Sequence, residues 1–188
     1  ITEDLVFSNP YFDADNNKID PEIRDRAEEN WRDEELKKEV AILKEKFMTQ
    51  AQALIHGDLH TGSVFVTPES TKSFDPEFGF FGPMGFDIGA ILGNLILNHA
   101  SQLWHKPDEA DRKDFREYLL STFKGIWETF STQFRALWEE HVTTPMESNP
   151  VYREDYIERL FADAIGYAGC KMTRRIVGLA QVEDIRSI

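Results

Sequence analysis

Only one cysteine, Cys170, occurs among the 188 residues, so the chain cannot form an intramolecular disulfide. This scarcity fits a reducing compartment, and we expect a cytoplasmic protein. The sequence also lacks an apolar run close to the roughly 20 residues that span a bilayer. The longest largely apolar stretch, residues 88–97, is too short to span a bilayer and contains Gly89, Gly93 and Asn94, so it indicates a buried helix. No basic-then-apolar signal pattern opens the chain.

Positive charge is also scarce, because 21 Lys and Arg residues face 34 Asp and Glu residues, for a formal net charge of −13. Such a surface repels phosphodiester backbones and anionic lipid, so nucleic acid and membrane are poor candidate partners. An anionic ligand needs a local basic pocket. Hydrophobic residues make up 41% of the chain and aromatic residues 12%, enough to fill the core of one globular domain.

Helical periodicity dominates the sequence on both sides of a short central region. Asp20 and Pro21 predict a helix start, since Asp caps free N–H groups and Pro suits the first turn. Apolar spacings of three to five residues continue to Ala51, which predicts one long helix or two helices with a break near Asp33. We predict further helices at 86–99, along an aromatic core stripe at 115–138, and, after a loop at 143–150, at 152–186.

The central region, from about residue 54 to residue 81, has a different pattern. Short apolar runs alternate there with Gly, Asp, Thr and Pro, which predicts short strands and loops. The runs are Ala53–Ile55, Val64–Val66 and Phe78–Phe81. The predicted fold class is therefore α+β and predominantly helical, with the chemistry in the middle of the chain.

Two carboxylate clusters lie in this central region. Residues 56–63 read HGDLHTGS, and Asp75-Pro76-Glu77 follows after a short apolar strand. A tight hairpin between the two segments would place both on one cleft wall. Phosphoryl transfer needs one carboxylate to orient and deprotonate the attacking hydroxyl, and other oxygen ligands to hold Mg²⁺ on nucleotide phosphates. Asp75 and Glu77, helped by the hydroxyl of Ser63, suit the preference of Mg²⁺ for oxygen ligands.

Three segments together carry a family resemblance. HGDLHTGS, DPEFGFFGPMGFDIG and MTRRIVGLAQVEDI resemble the 5-methylthioribose kinases over essentially the whole chain. These are kinase-like phosphotransferases, as are the aminoglycoside and choline kinases. Ser63 stands where the broader superfamily has Asn, and Asp75-Pro76-Glu77 stands where protein kinases carry Asp-Phe-Gly. Both departures are characteristic of the methylthioribose kinases. The resemblance implies the C-terminal lobe of the protein-kinase-like fold.

The resemblance also implies roles for the residues of the central region. Asp58 would be the catalytic base, although an Asp in a turn often only caps backbone N–H groups and gains weight here from its motif. Asp75 and Glu77 would bind Mg²⁺, with Ser63 as a further ligand or orienting group. Asp75-Pro76 is also a common turn starter. His56 would position the loop by hydrogen bonding.

Three further residues match the family outside that region. Asp87 would hold the catalytic loop by accepting backbone N–H bonds. Arg174 and Arg175 would serve the methylthioribose pocket together with Asp58. The alternative for the arginine pair is a surface role in salt bridges with acids such as Glu183 and Asp184.

A kinase of this fold also has a smaller N-terminal lobe, with a glycine-rich loop and a strand lysine for the nucleotide phosphates. The chain contains neither, and it opens at Ile1 without a methionine. We therefore expect residues 1–188 to be the C-terminal, catalytic lobe of a longer protein, inactive in isolation.

The activity implied by the resemblance is ATP-dependent phosphorylation of the 1-hydroxyl of 5-methylthioribose in methionine salvage. It implies Mg²⁺ and ATP, no nucleic acid or membrane partner, and a homodimer of the full-length protein. Two alternatives remain open. One is another kinase-like phosphotransferase acting on an aminoglycoside, choline or homoserine. The other is a catalytically silent kinase-like domain that binds a partner.

Overall fold

A computed structural model describes residues 2–179, 181, 182 and 185. Six helices make up most of it: α1 (Thr2–Phe7), α2 (Arg24–Arg32), α3 (Glu34–Thr49), α4 (Met84–His105), α5 (Glu109–His141) and α6 (Pro150–Val177). The four strands are β1 (Ala53–Ile55), β2 (Val64–Val66), β3 (Thr71–Ser73) and β4 (Phe80–Gly82). The fold is thus predominantly helical α+β with small sheets. None of the helices described is long and apolar enough to cross a membrane.

The helix starts near the N-terminus follow from side-chain caps. The Asp20 carboxylate accepts a hydrogen bond from the Glu22 N–H at 2.9 Å, at the start of a 3₁₀ turn that leads into α2. The Asp33 carboxylate accepts from the Leu36 N–H at 2.9 Å and begins α3. Each carboxylate satisfies an N–H group that has no partner within its own helix. The predicted break near Asp33 is confirmed.

Two antiparallel strand pairs fill the centre of the chain. Strand β1 pairs with β4, and Ile55 lies opposite Phe80. Strand β2 pairs with β3, and Val64 lies opposite Ser73. The β2–β3 hairpin separates the HGDLHTGS motif from the Asp75 segment, as the sequence predicts. The third predicted strand begins two residues late, because it runs from Phe80 rather than from Phe78.

An aromatic cluster joins the N-terminal helices to α4 and α6. Ring centroids lie 5.2 Å apart for Phe7 and Phe47, 4.8 Å for Phe47 and Phe86, and 5.5 Å for Phe86 and Tyr167. The hydroxyl of Tyr167 donates to the Leu43 carbonyl oxygen at 3.0 Å, so its polar end is satisfied. Helix α1, which the sequence did not reveal, supplies Phe7 to this core.

Helices α4 and α6 pack closely because α4 presents glycines at every fourth position toward α6. A Cβ atom at Gly89 would lie 2.4 Å from the Ala164 carbonyl oxygen, and one at Gly93 would lie 3.1 Å from that of Ala168. Side chains at these positions would force the helices apart. This close approach brings the C-terminal turns of α6 to the central loops.

The long helices differ from the sequence predictions mainly at their ends. The aromatic stripe of α5 packs on α4 and α6 through Phe123, Trp127 and Phe130, so its core interpretation is confirmed. The predicted last helix to residue 186 is wrong in extent, because α6 ends at Val177. Gly178, a poor helix former, follows in an extended conformation. Arg186 lies outside the described residues.

Candidate active site

Asp87, in the first turn of α4, fixes the loop that carries Asp58 through hydrogen bonds to its backbone. The Asp87 carboxylate accepts the backbone N–H of His56 at 2.5 Å and that of Gly57 at 3.1 Å. Burial raises the pKa of the Asp87 carboxyl, while these two hydrogen bonds act in the opposite direction. One carboxylate thus fixes two successive peptide groups just before Asp58.

Gly57 allows this loop to turn against the next one. Its φ of +82° lies in the region that side chains disfavour, and a Cβ atom would stand 2.1 Å from the Phe78 carbonyl oxygen. Only glycine satisfies both conditions. The backbone of the Asp58 loop therefore touches the segment that carries Asp75 and Glu77.

His56 links the same two loops through its ring. Its Nε2 lies 2.8 Å from the Phe74 carbonyl oxygen, and its Nδ1 lies 3.4 Å from the backbone nitrogen of Asp58. A carbonyl oxygen only accepts and a backbone N–H only donates, so Nε2 is the nitrogen that donates to Phe74 and Nδ1 the one that faces the Asp58 N–H. His56 is placed to orient both Asp58 and the residue before Asp75.

The Asp58 carboxylate has a cationic partner that sequence reasoning missed. Nζ of Lys171, a residue 2% exposed on α6, lies 2.7 Å from Asp58 Oδ1. Burial acts to raise the pKa of Asp58, but the charge and hydrogen bond of Lys171, together with the charges of His60 and Arg175, outweigh it, and the pKa lies below its ordinary value. Asp58 is therefore ionised at neutral pH. One signal was available: Lys171 follows the buried Tyr167 by four residues, which places it on the apolar face of α6.

The proposed metal ligands lie on both sides of the β2–β3 hairpin. Asp75 and Glu77 are exposed, and Asp75 has a φ of +65°, a conformation that Asp tolerates better than most residues. Ser63 is buried, with Oγ 3.2 Å from His60 Nε2 and 3.5 Å from the Asp58 carbonyl oxygen. Its own carbonyl oxygen accepts from the Phe74 N–H at 3.0 Å. The structure thus brings Ser63 beside the strand that leads to Asp75, with its hydroxyl toward the Asp58 loop.

The oxygen ligands of this site suit Mg²⁺, but they do not suit a metal ion that needs a full set of side-chain ligands. Among the described residues, no group of three or more His, Cys, Asp or Glu side chains is placed to hold a metal ion. Mg²⁺ commonly takes one or two carboxylates and completes its shell with water and substrate phosphates. Asp75 and Glu77 match this coordination pattern. A metal ion that needs three or more side-chain ligands does not fit the described residues.

Arg174 and Arg175 stand one turn after Lys171 on α6 and are both partly buried. The Nε atom of Arg174 is buried and has no hydrogen-bond partner within the described part of the chain. Burial, together with the charge of Arg175, lowers the pKa of Arg174, whereas Asp58 acts to raise it. The arginines in the last turn of α6 therefore interact electrostatically with Asp58. Glu183 and Asp184, the alternative partners of this pair, lie outside the described residues.

The sequence of the chain is similar to that of known phosphotransferases. Residues 3–129 match the phosphotransferase enzyme family. The whole chain is 46% identical over 188 residues to a methylthioribose kinase of Geobacillus sp. (strain WCH70) and covers 45% of it. It is 46% identical over 200 residues to methylthioribose kinase 1 of Oryza sativa subsp. japonica, and 42% identical over 191 residues to a methylthioribose kinase of Yersinia pseudotuberculosis, covering 46% of each. The chain spans about half the length of the curated relatives it matches.

Proposed function

Since the chain belongs to the phosphotransferase enzyme family, we propose that it forms the catalytic, C-terminal lobe of a longer kinase. The reaction is transfer of the γ-phosphoryl group of ATP to the 1-hydroxyl of 5-methylthioribose. The observation that carries this proposal is the Asp58 carboxylate, ionised beside Lys171 on a loop that contacts the segment of Asp75 and Glu77. The three methylthioribose kinases described above indicate the substrate.

In this mechanism Asp58 is the base. It accepts the proton of the sugar hydroxyl as the hydroxyl oxygen attacks the γ-phosphorus. Asp75 and Glu77 would hold Mg²⁺, which would supply positive charge to neutralise the phosphates of ATP. Ser63 orients the Asp58 loop through its hydroxyl contacts, and its place beside the hairpin leaves it close to that metal site.

The arginine pair serves the substrates. A guanidinium group offers forked donors to sugar hydroxyls and phosphate oxygens, and the buried Nε of Arg174 supplies a donor that no described residue uses. In a chain with a net charge of −13, Lys171, Arg174 and Arg175 make a local positive region where anionic phosphate would approach. Dimerisation of the full-length protein stays a prediction.

The test is a substrate panel on the full-length protein with Mg-ATP, in which ADP release is measured. Methylthioribose should have a higher kcat/KM than choline, homoserine or an aminoglycoside. Asp58→Asn should lower kcat by about 10² to 10⁴, the usual worth of a positioned base. Asp114→Asn, on the exposed face of α5, is the matched control and should retain full activity.

Each alternative predicts a different result in the same panel. Preference for another alcohol would identify another kinase-like phosphotransferase. A lack of turnover with every alcohol would favour a silent binding domain. The chain alone should show no appreciable turnover, because it lacks the lobe that holds the nucleotide phosphates; activity near that of an intact kinase would contradict the lobe assignment.

A further inference from the structure

Lys171 is buried in the interior of the protein, although lysine is rarely fully buried unless it is paired. Its side chain is 2% exposed, and its Nζ lies 5.2 Å from the centre of the Phe86 ring, within range of a cation–π attraction. The buried positions of α6 one and two turns before Lys171 are Ala164, Tyr167 and Ala168. An apolar side chain of the same length would fill this place without the cost of burying a charge. Packing alone therefore does not account for Lys171.

The contact with Lys171 makes the two oxygen atoms of Asp58 unequal. Oδ1 receives a hydrogen bond from Lys171 Nζ at 2.7 Å. Oδ2 lies 3.9 Å from His60 Nε2, which is beyond hydrogen-bond distance. The carboxylate is therefore anchored through one oxygen by a helix that belongs to neither loop.

We infer that Lys171 is a positioning residue that holds Asp58 by Oδ1, so that Oδ2 receives the proton of the attacking hydroxyl. This inference rests on the proposed function. In the transfer step the hydroxyl oxygen forms a bond to the γ-phosphorus of ATP. The bond from that phosphorus to the bridging oxygen breaks, ADP leaves with the electron pair, and the hydroxyl proton passes to Oδ2.

The electrostatics agree with this geometry. Burial acts to raise the pKa of Asp58, and the opposing effects, of which the charge and hydrogen bond of Lys171 are the largest, together bring it below the ordinary value. Burial lowers the pKa of Lys171, and Asp58 opposes that change. A base with a depressed pKa acts by orientation more than by strong basicity, which suits a loose transition state for phosphoryl transfer. The other charged or titratable groups around the pair are Arg174, Arg175, His56, His60 and Asp87.

The central experiment compares the wild-type full-length protein with Lys171→Met, which keeps an unbranched side chain one atom shorter and removes the charge. We expect kcat to fall by about 10-fold or more, up to the full 10² to 10⁴ of the base. KM for methylthioribose should change by less than about threefold, because Lys171 is buried and its Nζ is bonded to Asp58. The acid limb of kcat/KM should move to higher pH by about one unit or more, since Asp58 loses its cationic neighbour.

Two comparisons separate positioning from a general loss of structure. Lys46→Met is the matched control, because Lys46, like Lys171, forms a Lys–Asp ion pair. Its Nζ lies 2.5 Å from Asp163 Oδ1, away from the catalytic loop. This variant should leave the acid limb in place. In an Asp58→Asn background, Lys171→Met should lower kcat by less than about threefold more, since the partner is already gone. A folded Lys171→Met protein with wild-type kcat and acid limb would overturn the inference, as would losses that multiply in the double variant.

A further measurement tests the inference even if Lys171→Met does not fold or if methylthioribose is not the substrate of the full-length protein. In full-length protein labelled with ¹³C-aspartate, the wild-type Asp58 carboxyl should titrate below the ordinary value of about 3.9. Its pKa should rise in Lys171→Gln, which keeps an N–H donor and loses the charge. An Asp58 pKa that is the same in Lys171→Gln as in the wild type would overturn the inference. If methylthioribose is not turned over, the proposed function fails, while this titration still decides whether Lys171 controls Asp58.

Discussion

The His56 ring reaches the Phe74 carbonyl oxygen, 18 residues further along the chain, with a distance of 2.8 Å from Nε2. Phe74 follows β3 directly and precedes Asp75. The other ring nitrogen faces the backbone of Asp58. One imidazole thus sets the spacing between the proposed base and the proposed metal ligands, so structural changes in either loop should affect both functions.

Replacing Asp87 by Ala should destabilise the protein. The N–H groups of His56 and Gly57 would lose their acceptor, and each unsatisfied buried donor costs about 1–3 kcal/mol. We expect a loss of about 2–4 kcal/mol in the free energy of unfolding, measured by urea denaturation, with a smaller loss for Asp87→Asn. Asp114→Ala, at an exposed position of α5, should change this free energy by less than about 0.5 kcal/mol. Equal effects of the two alanine variants would show that Asp87 does not support the loop.

Gly57→Ala should also destabilise the protein, because the added Cβ meets the Phe78 carbonyl oxygen and the residue keeps a positive φ. The two effects together cost about 2 kcal/mol or more. Gly125 lies inside α5 with nothing within 4 Å of an added Cβ, so Gly125→Ala should instead stabilise by up to about 1 kcal/mol. Thermal melts of the two variants should shift in opposite directions. A Gly57→Ala melt as high as that of the wild type would contradict the close contact.

The features that the sequence predicted are those set by neighbouring residues. The cap at Asp20 and the β2–β3 hairpin both depend on a few adjacent side chains, and both are present. Helix α1 was missed because Val6 and Phe7 form too short a pattern, and they become core only against residues such as Phe47. The spacing of Lys171 from Tyr167 indicates its burial, but Asp58 lies 113 residues away and no local pattern identifies it as the partner.

Cys170 should resist thiol reagents in the folded protein. It is 3% exposed, and burial raises the pKa of its thiol to about 11. Because the thiolate is the reactive form, Ellman's reagent at pH 8 should label the native protein negligibly and the urea-unfolded protein fully. The raised pKa also contributes stability that is complete below the unfolded thiol pKa and is lost as pH rises toward about 11. This alkaline loss should be smaller in Cys170→Ala, and rapid labelling of the native protein would contradict the burial.

Glu77→Gln should raise the Mg²⁺ concentration that gives half-maximal rate in the full-length protein. A neutral amide is a poorer ligand than a carboxylate for a hard cation. The measurement is a Mg²⁺ titration of initial rate at fixed ATP. Glu117→Gln, at an exposed position of α5, is the control. An unchanged Mg²⁺ dependence would make Glu77 a turn residue of the segment after the hairpin.

The two neighbouring arginines should have different functions, because adjacent residues on a helix point about 100° apart. Both arginines have a buried Nε that can donate to a substrate, and we assign Arg174 to the sugar hydroxyl because Arg175 is the one whose charge acts on the pKa of Asp58. Arg175 contributes by its charge to the low pKa of Asp58, which suits a position near the transferring phosphoryl group. Substitution by Lys keeps the charge and removes the fork of donors, and a hydrogen bond to a charged group is worth about 1.5–3 kcal/mol.

We therefore expect Arg174→Lys to raise KM for methylthioribose by about 10-fold or more with little change in kcat, and Arg175→Lys mainly to lower kcat. Steady-state kinetics of the full-length protein with both substrates varied would measure this division. Arg159→Lys is the control, since Arg159 lies on the same helix, is exposed and pairs with Asp155. If both variants match the control in kcat and in KM for each substrate, the pair belongs to the surface, and Asp58 is left without a basic substrate pocket on α6.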